Sequence, residues 1–261
     1  MTALLPALLL ACAAPTWMTA HSLDAGEMQA GFAGYGRYSE VDAELVDAEG
    51  QVHGAEPTFR PPQDISHMNL ELRVGLGKGL ELGTRGVPLL SATDLKWSFL
   101  DERRHETPLS VALDLEAGVD TRWTARFRGG LLTSSTLVLG RGLALQPGLG
   151  AWLGSGGFGY DVDLDPALVA EGADEARLLL STRALGLSPT GGLAVPLRIT
   201  EHLAIAPWAA WVGWYPFAER GRVVECTGCA MGIDALEPAQ ASLVWGGLRV
   251  QPWLEPARRQ P

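Results

Sequence analysis

Ten ionisable residues between positions 71 and 128 recur at alternate places within short apolar stretches: Glu71, Arg73, Glu81, Arg85, Asp94, Lys96, Asp114, Glu116, Arg126 and Arg128. Five are acids and five are bases, so on one shared surface they form a mixed-sign cluster with no net charge. Such a cluster can line a constriction that sorts solutes by charge. Its members can also pair with one another and fill the space between them. The filled, ion-paired space is the leading expectation. The alternative is a passive channel for small solutes lined by Glu71, Arg73, Arg85, Asp114, Glu116, Arg126 and Arg128.

Other residue types offer weaker chemistry. Cys226-Thr-Gly-Cys229 could supply two metal ligands, but a zinc site needs about four and no histidine follows His202. A disulfide closing an exterior loop is the expectation for Cys226 and Cys229. Asp161, Asp163 and Asp165 have calcium-like spacing, yet Pro166 stands where the sharp turn of a calcium loop needs glycine. A solvated acidic loop is therefore expected, with no metal and no cofactor. A hydrolytic site would need a histidine near paired acids. His53 and the Asp161–Asp165 group are the candidates, and no spacing ties them together. No catalytic residue is assigned and the chain is not expected to be an enzyme. His21, His67, His105 and His202 read as strand-end or turn residues.

The elements that must carry the charged cluster are strands. In 109–119, Leu109, Val111, Leu113, Leu115, Ala117 and Val119 alternate with Ser110, Ala112, Asp114, Glu116 and Gly118. A period of two puts both carboxylates on one face, whereas a helix would scatter them among the leucines. The same pattern runs through 68–76 and 80–87, joined by Gly77-Lys78-Gly79, and through 94–99. It continues in 27–38, 125–139, 143–153, 184–199, 203–215 and 240–251, about ten strands in all. Gly246-Gly247 interrupts the last one and suggests a bulge. Strands seven to nine place Ala144, Gly148, Gly150, Ala184, Gly186, Ala204, Ala206 and Ala210 on the face that carries charges elsewhere. Small residues opposite long charged ones suit a narrow lumen better than a water-exposed sheet. Trp211 and Tyr215 fall on the apolar face, as do Trp97 and Phe99, and are read as an aromatic girdle. Trp208 and Trp214 point the other way, where packing against glycines is expected.

Short connections (77–79, 101–107, 140–142, 200–202) alternate with longer ones. Residues 39–65, 155–178 and 216–238 together carry a net charge of −13, against −10 for the whole chain. Acidic loops without a basic run argue against nucleic acid as a partner. No window of 18 unbroken apolar residues follows the N-terminus, so a helical membrane span is not expected. Charge held in loops and kept off one strand face suits a wall embedded in lipid.

Phrases such as Leu70-Glu-Leu-Arg-Val-Gly-Leu-Gly-Lys-Gly-Leu-Glu-Leu-Gly83 make residues 28–251 resemble a small bacterial outer-membrane β-barrel. The resemblance implies an all-β, up-and-down antiparallel transmembrane barrel with short turns in the periplasm and long loops outside. The end of the chain departs from that pattern, because Pro252-Trp253 and a polar tail follow the last strand. Leu9-Leu10-Ala11-Cys12 resembles a lipoprotein signal peptide with its lipobox, which implies lipidation of Cys12. A plain export signal with a chance cysteine is the alternative, since no basic residue precedes Arg37. The chain thus divides into a signal peptide (1–12), a tether (13–26), the barrel (27–251) and a polar tail (252–261). The expected role is that of an outer-membrane lipoprotein anchored on the periplasmic side, structural or surface-binding, with acidic external loops. Its partners would be outer-membrane lipid and lipopolysaccharide. A passive channel comes second, and a surface enzyme of the outer-membrane protease type third.

Overall fold

The computed structural model describes residues 18–34, 37–42, 44–46, 50–54, 58–60, 69–86, 92–105, 107–119, 125–140, 142–162, 177–227, 234–235 and 240–253. Ten strands make the wall: β1 (Met28–Gly34), β2 (Asn69–Gly77), β3 (Leu80–Gly86), β4 (Ala92–Leu100), β5 (Ser110–Val119), β6 (Ala125–Ser134), β7 (Leu143–Val162), β8 (Arg177–Ala194), β9 (Leu203–Thr227) and β10 (Gln240–Pro252). Each pairs antiparallel with the next, and β10 returns to β1 with Ala30 opposite Val250 and Gly34 opposite Gly246. The sheet is a closed barrel with no free edge.

Alternation decides which side is which. Along β4, Ala92, Asp94, Lys96 and Ser98 are buried while Leu95, Trp97 and Phe99 are exposed. Leu70, Leu82, Leu113, Leu115, Leu131, Leu153 and Val250 continue the exposed apolar face around the wall. A leucine face of that extent is stable only against hydrocarbon, so this is a transmembrane barrel, polar within and greasy without. No described helix is long and apolar enough to cross a membrane. The single helix among the described residues, α1 (Glu102–His105), is one turn in the β4–β5 connection.

β2 and β3 meet at Gly77-Lys78-Gly79, where all three residues have positive φ (87°, 53° and 82°). Glycine accepts that conformation without the usual side-chain penalty. About 9–11 residues suffice to cross a bilayer as a tilted strand. β7, β8 and β9 have 20, 18 and 25, so they continue well past the membrane on the side away from the short turns. Part of the acidic segments 155–178 and 216–238, read above as loops, is therefore extended sheet. The Gly-rich stretch 154–159 dilutes the apolar alternation while its ladder stays in register, and Pro216 stands at a register shift of the β8–β9 ladder, which continues beyond it.

Three further expectations are corrected. The Gly246-Gly247 step carries no bulge: both ladders of β10 run through it in unbroken register. The connection expected at 140–142 is longer and includes a short strand, Leu137–Gly140. The largest difference concerns the presumed tether, because residues 18–23 lie inside the barrel. Met18, Ala20, His21, Ser22 and Leu23 are 0–5% exposed. They enter beside the β2–β3 turn, where Gly26 N–H donates to Gly75 O (2.9 Å) and Gly75 N–H to Glu27 O (2.9 Å).

Candidate functional site

The strand register builds the lumen in rows. Residues directly opposite in an antiparallel pair share a face, so the ladder sets inward charges side by side. Glu81 faces Lys96, which faces Asp114. One step outward, Gly83 faces Asp94, Asp94 faces Glu116, and Glu116 faces Arg128. One step further, Arg249 faces Gly31, Gly31 faces Glu71, and Glu71 faces Arg85. Signs alternate along most of these rows, and the two glycines stand where long side chains must cross. A Cβ on Gly83 would lie 2.7 Å from Asp94 Oδ1 and 2.8 Å from an Arg73 terminal nitrogen.

Arg73 is the hub. Its Nε donates to Glu71 Oε1 at 3.0 Å, one terminal nitrogen reaches Glu81 Oε2 at 3.3 Å, and the other pairs with Asp94. Lys96 Nζ holds the same Glu81 oxygen at 3.0 Å. Arg85 and Arg128 converge on Glu116. Arg249 Nε reaches Glu71 Oε2 at 3.3 Å, and its guanidinium lies 4.7 Å from the Trp208 ring centre. Glu71, Arg73, Glu81, Arg85, Asp94, Lys96, Asp114, Glu116 and Arg249 are all 0–6% exposed. A charge buried this deeply is tolerated only when paired, and removing one partner typically costs about 3–5 kcal/mol. Burial and mutual pairing together set most of these side chains against an opposite charge.

The remaining wall is packed with rings over small residues. Trp152 lies where a Cβ of Gly130 would be, its Nε1 donating to Asp114 Oδ2 at 3.2 Å, and Trp214 covers Gly186. Trp208 and Trp214 are each 5% exposed. On the outer surface Trp97 (48%), Phe99 (42%), Trp211 (38%) and Tyr215 (40%) are exposed, so all four face outward. The side chains of Arg126, Cys226, His53 and Asp161 lie outside the described residues, as do Cys12, Cys229, Asp163 and Asp165.

Two elements of the lumen had no signal in the sequence reading. One is Arg249, which supplies the fifth described base of the belt. The other is the N-terminal thread, met by the barrel largely through its main chain. Ala20 N–H donates to Ser134 Oγ (2.8 Å), Ser22 N–H to Asp101 Oδ2 (3.1 Å) and Leu23 N–H to Glu81 Oε1 (2.6 Å). Lys96 Nζ donates to Thr19 O (3.0 Å) and His21 O (2.6 Å), Ser98 to Ala20 O, and Arg103 to Ser22 O. The side chains of Met18 and Ala20 pack on Ala112, Leu132 and Trp152.

No family model matches this chain, and no curated protein does. Among solved structures it is similar to the outer membrane protease OmpT from Escherichia coli, with TM-score 0.40 and 8% identity over 90% of this chain and 100% of that one. It is also similar to the outer membrane protein AlkL in DMPC lipid bilayers, with TM-score 0.30 and 8% identity over 94% of this chain and 98% of that one. An anion-selective porin from Comamonas acidovorans follows, with TM-score 0.17 and 11% identity over 87% of this chain and 100% of that one.

His21 is not the strand-end or turn residue the sequence suggested. It sits at the inner end of the short-turn rim, level with Ser110 at the start of β5 and Ser134 at the end of β6. Its Nδ1 is 2.9 Å from Ser110 Oγ, and its Nε2 is 3.0 Å from Thr136 Oγ1 and 3.3 Å from Ser134 Oγ. Ser134 Oγ already accepts from Ala20, and Thr136 Oγ1 lies 3.5 Å from the Gln146 amide as acceptor. A ring with hydrogen on Nε2, accepting at Nδ1 from Ser110, satisfies all of these contacts. Burial holds the imidazole far below its ordinary value, at about 3. Lys96 and Arg103 act in the same sense and Asp101 against it. Burial also raises the Glu102 carboxyl, whose Oε1 lies 3.7 Å from His21 Nδ1. Asp101 behaves oppositely: burial would raise it, but hydrogen bonds from Ser22 and the Arg103 amide hold it low.

Proposed function

We propose that this chain is a closed barrel of the bacterial outer membrane with a structural and surface-binding role, its lumen sealed rather than conducting. The observation that carries the reading is the burial of the ion-paired belt, with Arg73, Glu81, Arg85 and Asp114 at 0–2% exposure in the middle of the barrel. The thread from Met18 to Leu23 backs that belt from the short-turn side. β7, β8 and β9 lift the acidic segments beyond the bilayer on the opposite side, which this reading places outside the cell. Their charge suits divalent-cation bridges to the phosphates of lipopolysaccharide. Catalysis is not part of the proposal, because the serine hydroxyls that contact His21 are buried with it, Ser110 at 0% and Ser134 at 2%. The lipobox-like Leu9–Cys12 supports a lipid anchor as a further element of the same reading.

Purified protein reconstituted in planar bilayers tests the seal. Silent membranes containing heat-modifiable, folded protein are expected. Steady ohmic current from the unmodified chain would replace the sealed barrel with the channel. Protease shaving of intact cells tests sidedness: cleavage within 39–65 is expected, and protection there would invert the topology.

A further inference from the structure

We infer that the short-turn half of the lumen is a binding site for an extended peptide main chain, occupied in this chain by its own residues 18–23. The inference rests on the sealed-barrel reading and goes beyond it, since it makes the thread a ligand of the barrel rather than part of its wall. Three features support it. The thread pairs with no strand of the described barrel; its first ladder-like bonds are those of Gly26 and Glu27 at the rim. Six side chains from four separate places supply its partners instead: Glu81 on β3, Lys96 and Ser98 on β4, Asp101 and Arg103 in the following connection, and Ser134 on β6. These contacts are matched in kind, because carboxylates and a hydroxyl accept from amides while an ammonium, a guanidinium and a hydroxyl donate to carbonyls. Between them they serve four consecutive carbonyls, those of Thr19, Ala20, His21 and Ser22.

Recognition of that kind reads the peptide backbone, and side chains of the thread add to it: His21 meets Ser110, Ser134 and Thr136, and the Ser22 hydroxyl donates to Asp101. Ala20 is read by its size. It is 0% exposed and packs on Ala112, Leu132 and Trp152, so the site requires a small residue at that position. The ligand class is therefore an extended peptide with a small residue third in the motif Met18-Thr-Ala-His-Ser-Leu23. It can be offered by this chain's own segment or by a separate peptide entering from the same rim.

The test uses the barrel lacking residues 18–23 and, separately, the full chain carrying Ala20→Trp, which keeps the chain length but cannot seat the thread. The probe is the N-acetylated peptide Met18–Ala25 with a C-terminal fluorophore, and binding is read by anisotropy on heat-modifiable, folded protein. Both variants are expected to bind the probe at least tenfold more tightly than the unmodified chain, whose site is filled. Adding Lys96→Met to the deletion should weaken binding roughly tenfold or more, since two charge-assisted bonds go. A probe with tryptophan in place of Ala20 should not bind. Folded variants that ignore the probe, or an unmodified chain that binds it equally well, would overturn the inference. So would failure of both variants to fold, because the segment would then be core. Current through the unmodified chain strikes the sealed-barrel reading, whereas absent peptide binding with a silent unmodified barrel strikes this inference alone.

Discussion

Gly75 is where the thread and the wall come closest. It lies on the inner face of β2, and a Cβ there would stand 2.8 Å from Leu23 O and from the Asp24 carbonyl carbon, and closer still to Asp24 O. Ordinary carbon–oxygen contacts begin at about 3.3 Å, and the atoms in the way are backbone. In Gly75→Ala the thread must therefore retreat by about 1 Å or more. Three bonds sit within that reach: Leu23 N–H to Glu81 (2.6 Å), Gly26 N–H to Gly75 O (2.9 Å) and Gly75 N–H to Glu27 O (2.9 Å). The first is to a charged group, worth about 1.5–3 kcal/mol, and the two neutral bonds are worth about 1 kcal/mol each. The local loss is roughly 3.5–5 kcal/mol, or about two and a half to three and a half powers of ten in the opening equilibrium of the thread. Hydrogen exchange of the Ala20, Ser22 and Leu23 amides should quicken by about that factor, while amides in β5 and β6 keep their protection. Gly129→Ala serves as control, because its added carbon meets only the flexible end of Leu115 at 3.3 Å on the lipid side. Thread amides in Gly75→Ala that exchange within a factor of about two of the unmodified protein would refute the geometry on which this reasoning stands.

Arg73→Met leaves Glu71, Glu81 and Asp94 short of their common partner, and a loss of about 3–5 kcal/mol is expected in urea unfolding in detergent; Arg73→Met with Asp94→Asn should recover part of it, and a single variant as stable as the parent would remove Arg73 from the hub. Acidification should loosen the thread: His21 is held near 3, below its ordinary 6.5, so its contribution is complete above pH 6.5 and declines as pH falls from there toward 3. The raised Glu102 carboxyl works against that decline, and the lowered Asp101 adds to it only below the ordinary aspartate value. Exchange at Ala20 and Leu23 should therefore quicken, relative to the intrinsic rate, as pH falls from about 6.5 toward about 4.5, and His21→Asn should flatten the profile; an unchanged profile would show that His21 does not set it. Palmitate labelling of the expressed chain should disappear in Cys12→Ser, and labelling that persists would remove the proposed anchor.

Much of the architecture is legible because a strand that faces lipid on one side and a packed interior on the other must alternate. The pattern in 109–119 or 68–76 therefore states both the element and the face of every side chain. The same parity separated Trp208 and Trp214, which point in, from Trp211 and Tyr215, which point out. The thread escapes this logic. Met18-Thr-Ala-His-Ser-Leu23 has no partner strand and no second face, and many of its hydrogen bonds are made by main-chain atoms that every residue possesses. Nothing in the side-chain order distinguishes it from a tether.

Arg249 escapes for a different reason. It follows Gly246-Gly247, two residues that carry no side-chain signal, so its inward parity is easily lost. Its partner, Glu71, is 178 positions away and becomes a neighbour only when β10 closes onto β1. Closure thus turns a lone arginine near the end of the chain into a member of the belt. It sets Arg249 across Gly31 from Glu71, where a Cβ on Gly31 would fall 2.9 Å from the arginine Cγ. The charge balance of the lumen is therefore a property of the closed cylinder. An open sheet of the same ten strands would put Arg249 on one edge and Glu71 one strand in from the other, and the contact between them would be lost while Glu71 kept Arg73.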